Sequence, residues 1–520
     1  MVILNAEQMR AADAHAIQQL KIPSLTLMEN AAARVFEVLL RRYPEARSIA
    51  VVCGRGNNGG DGLALARRLK QSGRSAVVLL LGKGADLKQD PAVNWKKAIE
   101  AGVVCNEIES QQEIARHLDG ADLVVDAIFG TGLDRRAEGL QAGTIEAINH
   151  SGKRVLAIDV PSGVSSDTGD LIGPAIRADA TVALAALKHC HVFSPACLQC
   201  GDTYVANIGI PVSGTIQLLR HSEITDSLPQ RLADSHKGTY GHALVIAGSS
   251  GKSGAAYLSA KAALRCGAGL VTVAAPSHAQ SIIASYGPEI MTEAVSGNLD
   301  FFNDDAWLDL MELMEEKSAI AVGPGIGTEK ETLSLFQKIV TETEAPLVID
   351  ADGLNLLAMD PSILSARSQK TTILTPHPGE MGRLLGSDTA TVQKDRIGAA
   401  TRLSRQTGAF VALKGFRTIL AAPSGNTRIN PTGSQSLASA GTGDVLTGLI
   451  TGFLCQKMHP EAALAAAVYS HGFAGNLFEH RFPQQALNSA DILKDWNDTI
   501  LQIRTNRDLE SEYLKFHFLD

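Results

Sequence analysis

Short apolar segments that alternate with helical patterns are the feature that most restricts the fold of this 520-residue chain. In the N-terminal part, apolar runs typical of buried strands cover residues 49–53, 76–81, 123–126 and 154–159. Helical periodicity covers residues 6–20, 24–42, 60–70, 93–101 and 140–149. This alternation predicts a parallel sheet that is covered by helices on both faces.

A second series of the same kind begins at residues 243–247, and each half is long enough to bury its own core. Further strands are predicted at residues 270–274, 318–322, 347–349, 372–374 and 410–413, with a hairpin partner at 418–420. Residues 214–234 are polar and weakly periodic, so we expect a linker there. We therefore predict an α/β protein with domains at residues 1–213 and 235–507 and a peripheral tail at 508–520.

The composition restricts the partners and the compartment of this chain. A net charge of −8 without a basic tract argues against nucleic-acid binding. No apolar run has the length of a membrane span, and the N-terminus lacks a secretory pattern, so we expect a cytoplasmic protein without a membrane partner. Seven cysteines are an odd number at low density, which favours free thiols.

One cysteine cluster has the spacing of a metal site. Cys197 and Cys200 form a Cys-x-x-Cys pair, and His189, Cys190 and His191 stand shortly before them. A second well-spaced pair is missing, and the segment has the character of a loop between strands. We therefore do not expect a zinc site here.

A glycine-rich loop follows the first predicted strand and opens a helix. Gly54, Gly56 and Gly59 satisfy the spacing G-x-G-x-x-G, which lets phosphates approach the backbone. An ordinary nicotinamide-binding site also has an acid at the end of the second strand. Here that strand ends in Leu81-Gly82-Lys83, without an acid. The loop therefore predicts a binding site for nucleotide phosphates, but not an ordinary nicotinamide-dependent dehydrogenase.

Polar side chains also follow later strands of the N-terminal half. Asp126 ends one strand, and Asp159 ends the next and is followed closely by Ser162. Because the carboxyl ends of parallel strands meet at one edge, these residues can gather there with Asn57 and Asn58. Hard oxygen ligands suit a hard cation. Alternatively, each residue satisfies only its own turn, as Asp and Asn commonly do.

The stretch Ser439-Ala440-Gly441-Thr442-Gly443-Asp444 is the strongest local signal in the C-terminal half. Small residues end in one carboxylate, and a strongly periodic helix follows, with Gly448 and Gly452 spaced for close backbone approach. The helix N-terminus offers the N–H groups of Gly441, Thr442 and Gly443 and about half a positive charge, which suits a phosphate. Asp444 beside it predicts a base for phosphoryl transfer, or else a helix cap.

Three further strand-end loops of this half carry polar residues or glycines. They are Gly323-Pro324-Gly325, Thr375-Pro376-His377-Pro378-Gly379-Glu380 and Leu413-Lys414-Gly415-Phe416-Arg417-Thr418. We expect His377 to contact substrate and Lys414 and Arg417 to contact nucleotide phosphates, unless the two cations are solvated charges. Gly248-Ser249-Ser250-Gly251-Lys252-Ser253 is not a P-loop, because Ile246 stands where that motif requires glycine.

Together these motifs resemble the bifunctional NAD(P)H-hydrate repair enzymes, in which an NAD(P)HX epimerase is fused to an ADP-dependent NAD(P)HX dehydratase. The N-terminal motifs are Gly56-Asn57-Asn58-Gly59-Gly60-Asp61-Gly62, Gly130-Thr131-Gly132-Leu133 and Asp159-Val160-Pro161-Ser162-Gly163. The C-terminal motifs are His236-Lys237-Gly238, Gly323-Pro324-Gly325, Thr375–Glu380 and Gly441–Asp444. The resemblance implies a Rossmann-like parallel three-layer sandwich followed by a ribokinase-like α/β domain.

The resemblance also implies roles for individual residues. In the first domain, it implies substrate contacts for Asn57, Asn58, Gly59, Gly60, Asp61, Gly130, Thr131, Gly132, Leu133, Asp134, Arg135, Arg136 and Asp159. Asn58, Asp126 and Ser162 match potassium ligands, and we expect Asp159 to be the acid–base residue. In the second domain, the expected substrate contacts are Ala255, Gly325, His377, Glu380 and Asp444. The expected nucleotide contacts are Lys414, Gly415, Phe416, Arg417, Thr418, Gly441, Thr442 and Gly443.

The implied activity is metabolite repair by an isomerase and a lyase in one chain. The epimerase interconverts R- and S-NAD(P)HX, and the dehydratase converts the S form to NAD(P)H with ADP, giving AMP and phosphate. Expected partners are NADHX, NADPHX and ADP, with K⁺, Mg²⁺ and a homo-oligomeric state. Two alternatives stay open: a ribokinase-like vitamin or sugar kinase fused to a nucleotide-binding module, and a non-catalytic N-terminal module.

Overall fold

The computed structural model describes residues 1–133 and 135–519. The chain forms two compact units. The first consists of Met1–Gly214 with Glu510–Asp520, and the second of Thr215–Leu509. No helix in the described ranges is both long and apolar enough to cross a bilayer.

The first unit contains an eight-stranded sheet in which every neighbouring pair is parallel. The strands lie in the order Phe516–Leu519, Asp202–Ala206, Ala180–Leu184, Arg154–Ile158, Leu123–Ala127, Ser48–Cys53, Ser75–Leu81 and Val104–Ile108. A separate parallel pair joins Ile3–Leu4 to Leu187–Lys188. The helices are Ala6–Gln18, Ser24–Arg42, Asn57–Gln71, Gln89–Glu100, Gln111–Asp119, Gly139–His150 and His189–Val192, with Leu509–Tyr513 near the C-terminus.

Helices cover both faces of this sheet. Along the strand Ser48–Cys53, Val51 and Cys53 belong to one apolar cluster, whereas Ala50 and Val52 belong to another. Successive side chains of a strand point to opposite faces, so each cluster lies on its own side. The predicted parallel α/β sandwich of three layers is confirmed.

The second unit contains a ten-stranded mixed sheet. The strands lie in the order Ile216–Leu218, Thr427–Ile429, Ile419–Ala421, Phe410–Leu413, Thr372–Leu374, Leu347–Ile349, Ala319–Val322, His242–Ile246, Leu270–Pro276 and Met291–Val295. Within the described part of this sheet only the two pairings made by Ile419–Ala421 are antiparallel, as expected for the predicted hairpin. The helices are His221–Ser227, Ser253–Cys266, Ser277–Tyr286, Trp307–Met314, Lys330–Glu342, Asp352–Leu357, Pro378–Leu385, Thr389–Lys394, Arg396–Thr407, Thr442–Cys455, Pro460–Arg481, Ser489–Lys494 and Trp496–Thr505.

Two segments expected outside the domains are parts of the sheets. Residues 214–234, expected as a linker, contain the edge strand Ile216–Leu218, which pairs in register with Thr427–Ile429. The tail expected at residues 508–520 ends in the strand Phe516–Leu519, which pairs with Thr203–Ala206. The His517 ring stacks on Tyr204 with centroids 4.3 Å apart. Both strands are short and carry little sequence signal of their own. They form because a neighbouring strand pairs with them.

The helix that follows the small-residue loop spans Thr442–Cys455 and is buried on every side from Val445 onward. The helical spacing of its apolar residues predicts one buried face, and that prediction is wrong because the whole circumference is buried. Gly448 and Gly452 pack against the helix Ser253–Cys266, and a Cβ added at Gly448 would lie 2.0 Å from the Ser259 carbonyl oxygen. The predicted close backbone approach is confirmed.

Candidate active sites

A cavity of about 970 Å³ lies in the first unit between the N-terminal helices and the carboxyl edge of the sheet. Among the predicted contact residues, its wall includes Asn57, Asn58, Asp61, Gly130, Thr131, Gly132, Leu133, Arg135, Arg136 and Asp159. Asp134 lies outside the described residues. Gly59 and Gly60 pack inside the protein instead of lining the cavity, since an added Cβ would lie 1.9 Å from the Gly54 oxygen and 2.7 Å from Met28 Cε, respectively.

Asp159 is held by a buried ion pair. Lys188 Nζ lies 2.5 Å from Asp159 Oδ1, donates to the Leu184 oxygen at 2.7 Å, and belongs to a side chain that is 1% exposed. The Leu184 N–H donates to the same carboxylate oxygen at 3.2 Å. Asp159 itself has a left-handed backbone, with φ of 67°. A carboxylate with a fixed position and a partner of opposite charge is well placed to accept a proton.

His191 supports this pair from behind. Its Nδ1 accepts the Lys188 N–H at 2.9 Å, and its Nε2 lies 2.8 Å from the Asp159 carbonyl oxygen. Burial lowers the pKa of His191 to about 4, so the ring is neutral and carries its proton on Nε2. Both ring nitrogens are occupied within the protein, so His191 is not a spare ligand of the Cys197/Cys200 cluster.

The sequence did not identify Lys188 or Asp13 as site residues, although both line the cavity. Burial raises the pKa of Asp13 to about 6, opposed by Lys188 and reinforced by Asp159. Burial also raises the pKa of Asp61 well above its usual value, and the charges of Asp159 and Asp13 add to the effect. The signal that could have pointed to Lys188 is its position directly after the apolar segment at residues 180–187.

Asn58, Asp126 and Ser162 meet beside this cavity. Ser162 donates to Asp126 twice, from Oγ at 2.6 Å and from N at 2.8 Å, and Asn58 Nδ2 donates to the Phe129 oxygen at 2.8 Å. Asn58 Oδ1 is buried and has no hydrogen-bond partner among residues 1–133 and 135–519. Carboxylate, hydroxyl, amide and carbonyl oxygens with one unpaired acceptor suit a hard cation of low charge.

The second unit gathers its polar residues at the ends of four neighbouring strands. Lys414 Nζ lies 2.7 Å from Asp350 Oδ1, and Thr447 Oγ1 donates to Asp350 Oδ2 at 2.6 Å. Glu380 Oε2 is 3.9 Å from the same Lys414 Nζ. Burial raises the pKa of Glu380 to about 7. Lys414 is therefore part of a polar centre and not a solvated charge in a turn.

Asp444 lies next to this centre and is not a helix cap. The N-cap of its helix is Gly441, with φ of 84°, and no side chain caps that end. The Asp444 carboxyl has no hydrogen bond to any residue of the described ranges, whereas its backbone oxygen accepts from Ser259 Oγ at 3.0 Å. Burial, followed by the charge of Asp350, raises its pKa to about 6.

The helix N-terminus beside Asp444 is close to the Lys414 ammonium. A Cβ added at Gly443 would lie 3.6 Å from Lys414 Nζ and 3.8 Å from Asp350 Oδ2. The first amides of a helix have no intrahelical acceptor, so they point outward. Free amides and an ammonium together make a site for a phosphate group.

His377 and Gly325 belong to neighbouring strand ends. His377 Nδ1 accepts the Gly379 N–H at 3.0 Å, while Glu380 Oε2 accepts the His377 N–H at 2.7 Å, which makes a reciprocal helix cap. About half of the His377 side chain is exposed. A Cβ added at Gly325 would lie 3.4 Å from Ala255 Cβ, so these two expected contacts are neighbours.

The loop after Lys414 has one exposed ring and one engaged cation. Phe416 is 50% exposed, and the Arg417 guanidinium carbon lies 5.2 Å from its ring centroid. Arg417 also donates to the Pro431 carbonyl oxygen, and Thr418 Oγ1 donates to the Gly415 oxygen at 3.1 Å. The flat exposed ring suits a stacked base, while Arg417 holds the loop in shape.

Comparison with known proteins identifies the family. The family model described as NAD(P)H-hydrate dehydratase matches residues 243–497, and the model described as YjeF-related protein N-terminus matches residues 24–190. A bifunctional NAD(P)H-hydrate repair enzyme of Moorella thermoacetica is 40% identical over 509 residues, which cover 95% of each chain. The Escherichia coli enzyme of the same description is 32% identical over 492 residues, covering 94% of this chain and 92% of the relative.

The second unit is also similar to a solved structure. An ADP/ATP-dependent NAD(P)H-hydrate dehydratase from Bacillus subtilis, co-crystallised with ATP and Mg²⁺, is 31% identical, with a TM-score of 0.47. The match covers 55% of this chain and 97% of that one. Full-length identity to curated relatives decides the assignment, and this chain belongs to the family of bifunctional NAD(P)H-hydrate repair enzymes.

Proposed function

We propose that the second unit dehydrates S-NAD(P)HX by a kinase-like step with ADP as the phosphoryl donor. Asp444 takes the proton from the C6 hydroxyl of the hydrated ring, and the hydroxyl oxygen attacks the β-phosphorus of ADP. AMP leaves with the electron pair of the broken P–O bond. The C6–O bond then breaks with phosphate as the leaving group, driven by the lone pair of the ring nitrogen. Loss of the proton at C5 restores NAD(P)H.

The observation that carries this proposal is the unpartnered Asp444 carboxyl beside an anion site. The carboxylates of Asp350 and Glu380 have partners, since Asp350 binds Lys414 and Thr447 and Glu380 accepts the His377 N–H. A base without a partner can receive a substrate hydroxyl, and the adjacent amides of Thr442 and Gly443 can stabilise the developing phosphate charge.

We propose that the first unit interconverts the R and S hydrates, with Asp159 as the proton acceptor. The buried Lys188 ammonium holds the Asp159 carboxyl in position and gives it a partner of opposite charge. The cavity wall carries the glycine-rich loop, which suits a dinucleotide phosphate. This unit supplies the epimer that the second unit uses.

Both sites have a proposed cation. Potassium would be held by Asn58, Asp126 and Ser162, where the buried Asn58 Oδ1 is a free acceptor. Its role is to order the loops around the substrate phosphates. Mg²⁺ bound with the nucleotide would be held mainly by the nucleotide phosphates. The cytoplasmic location and the homo-oligomeric state stay predictions.

Two matched variants test the proposal. Asp444→Asn should lower ADP-dependent NADH formation from S-NADHX by about 10²–10⁴-fold, while R-to-S conversion stays unchanged. Asp159→Asn should do the reverse. The assays are NADH absorbance with chemically prepared NADHX and ADP, and chromatographic separation of the epimers without nucleotide. Near-normal dehydration by Asp444→Asn contradicts the assignment, and a requirement for ATP corrects the donor.

A further inference from the structure

The Asp13 carboxyl is a feature of the first unit that the proposed acid–base pair does not use. It lines the cavity, yet it has no hydrogen bond or ion pair to any residue in the described ranges. Its helix, Ala6–Gln18, precedes residue 24, where the match to the N-terminal family model begins. This helix therefore contributes the Asp13 carboxyl to a side of the cavity that the strand ends of the sheet do not form.

The cavity holds more carboxyl groups than buried cations. Asp13, Asp61 and Asp159 all line it, and Lys188 is committed to Asp159. Asp61 is 9% exposed and its carboxyl has no partner in the described residues. Arg10, Arg55, Arg135 and Arg136 also line the wall, but all four are exposed residues. Carboxyls that share one buried cation in a poorly solvated site do not all ionise near neutrality.

Epimerisation at C6 requires a donor as well as an acceptor. The ring carbon carries both a hydroxyl and the ring nitrogen N1, so it is a hemiaminal. When the hydroxyl loses its proton, the O–H electron pair forms a carbonyl, and the C6–N1 electron pair moves to N1. N1 must then gain a proton. The open aldehyde turns, closes from its other face and returns both protons, so no atom is gained or lost.

We propose that Asp13 is the catalytic acid that gives this proton to N1, while Asp159 accepts the hydroxyl proton. The inference rests on the proposed epimerase function. The ion pair with Lys188 fixes Asp159 as the acceptor, whereas Asp13 has no ion pair among the described residues and can carry the proton that N1 needs. Asp61 is buried more deeply, so it serves as a neutral hydrogen-bond donor that orients the ring.

The pKa values agree with this division of roles. Burial raises the pKa of Asp13 to about 6, so it can lose and regain a proton near neutrality. Burial also raises the pKa of Asp61 well above its usual value. Asp61 is the more deeply buried of the two carboxyls, so we assign the proton transfer to Asp13.

The test compares Asp13→Asn, which keeps the shape, with Asp13→Glu, which keeps the acid. R-NADHX is incubated with the full chain without nucleotide, and the epimers are separated by chromatography. We expect Asp13→Asn to lower kcat by about 10²–10⁴-fold with little change in KM. Asp13→Glu should retain clearly more activity. Dehydration of S-NADHX with ADP by the second unit should be unchanged in both variants.

A matched control separates chemistry from helix packing. Glu7→Gln removes an exposed acid from the same helix without touching the cavity, so it should leave epimerisation unchanged. An unchanged kcat for Asp13→Asn overturns the proposal, as does an equal loss in Asp13→Asn and Asp13→Glu. If the wild-type chain does not convert R to S, the epimerase function itself fails, and not only the role of Asp13.

Discussion

Both units place a lysine against a carboxylate at the end of a parallel strand, but the paired carboxylate has a different task in each. In the first unit Lys188 pairs with Asp159, which lines the cavity and is the proposed base. In the second unit Lys414 pairs with Asp350, and the carboxyl of the proposed base Asp444 has no hydrogen bond within the described part of the chain.

The difference follows from the charge that each site must handle. The reacting carbon of the epimerase substrate carries no charge, so the buried lysine is not needed to bind the reacting group and can fix the position of the base. The dehydratase must hold phosphate, and Lys414 is only 21% exposed but still lies beside the helix N-terminus. A shared architecture therefore gives one site a base that is fixed by an ion pair, and gives the other a cation near the phosphate.

The largest expected effect comes from removing each lysine. Lys188→Met leaves a buried charge on Asp159 and should lower the free energy of unfolding of the first unit by about 3–5 kcal/mol. Lys414→Met should cost about 1–3 kcal/mol, because Asp350 keeps its hydrogen bond from Thr447. Hydrogen exchange with mass spectrometry measures each unit separately.

A double variant checks the cause of that loss. Lys188→Met combined with Asp159→Asn removes the unpaired charge and should recover part of the stability. If the double variant is as unstable as the sum of the two single variants, the buried pair is not coupled. An equal loss from both lysine variants would also remove the contrast between the two sites.

The pH dependence should separate the two activities in the opposite sense. Asp444 must be ionised, and its pKa is raised to about 6, mainly by burial, so dehydratase kcat/KM should fall about tenfold per pH unit below that value. Asp13 must be protonated, and burial raises its pKa to about 6, so epimerase kcat/KM should fall about tenfold per unit above it. Initial rates across this range measure both limbs, and parallel profiles would contradict the assigned roles.

The sequence predicted the framework of both sites because that framework is local. Strand, glycine loop and helix follow one another in the chain, so Asp126, Asp159 and His377 could be placed at strand ends from periodicity alone. The parallel order of the strands then brings such ends together. The helix Thr442–Cys455 was also predicted, together with the packing role of Gly448.

The residues that the sequence missed depend on contacts across the chain. The role of Lys188 in the site depends on its ion pair with Asp159, 29 positions earlier, and on the pairing of Ile3–Leu4 with Leu187–Lys188. Asp13 lies on an ordinary amphipathic helix, and only the packing of that helix turns one acid towards the cavity. The strand Phe516–Leu519 is defined by a partner more than 300 residues away. Such pairings carry little local signal.

The smallest expected effect is that of potassium, which should stabilise the first unit but not the second. Potassium at ten times its dissociation constant should stabilise the first unit by about 1.4 kcal/mol and leave the second unchanged. Hydrogen exchange in potassium chloride and in tetramethylammonium chloride of equal ionic strength measures this difference. Asn58→Ala removes the unpaired buried oxygen and should abolish it. Equal stabilisation of both units would indicate a general salt effect, and the oxygen cluster would then only stabilise its own loops.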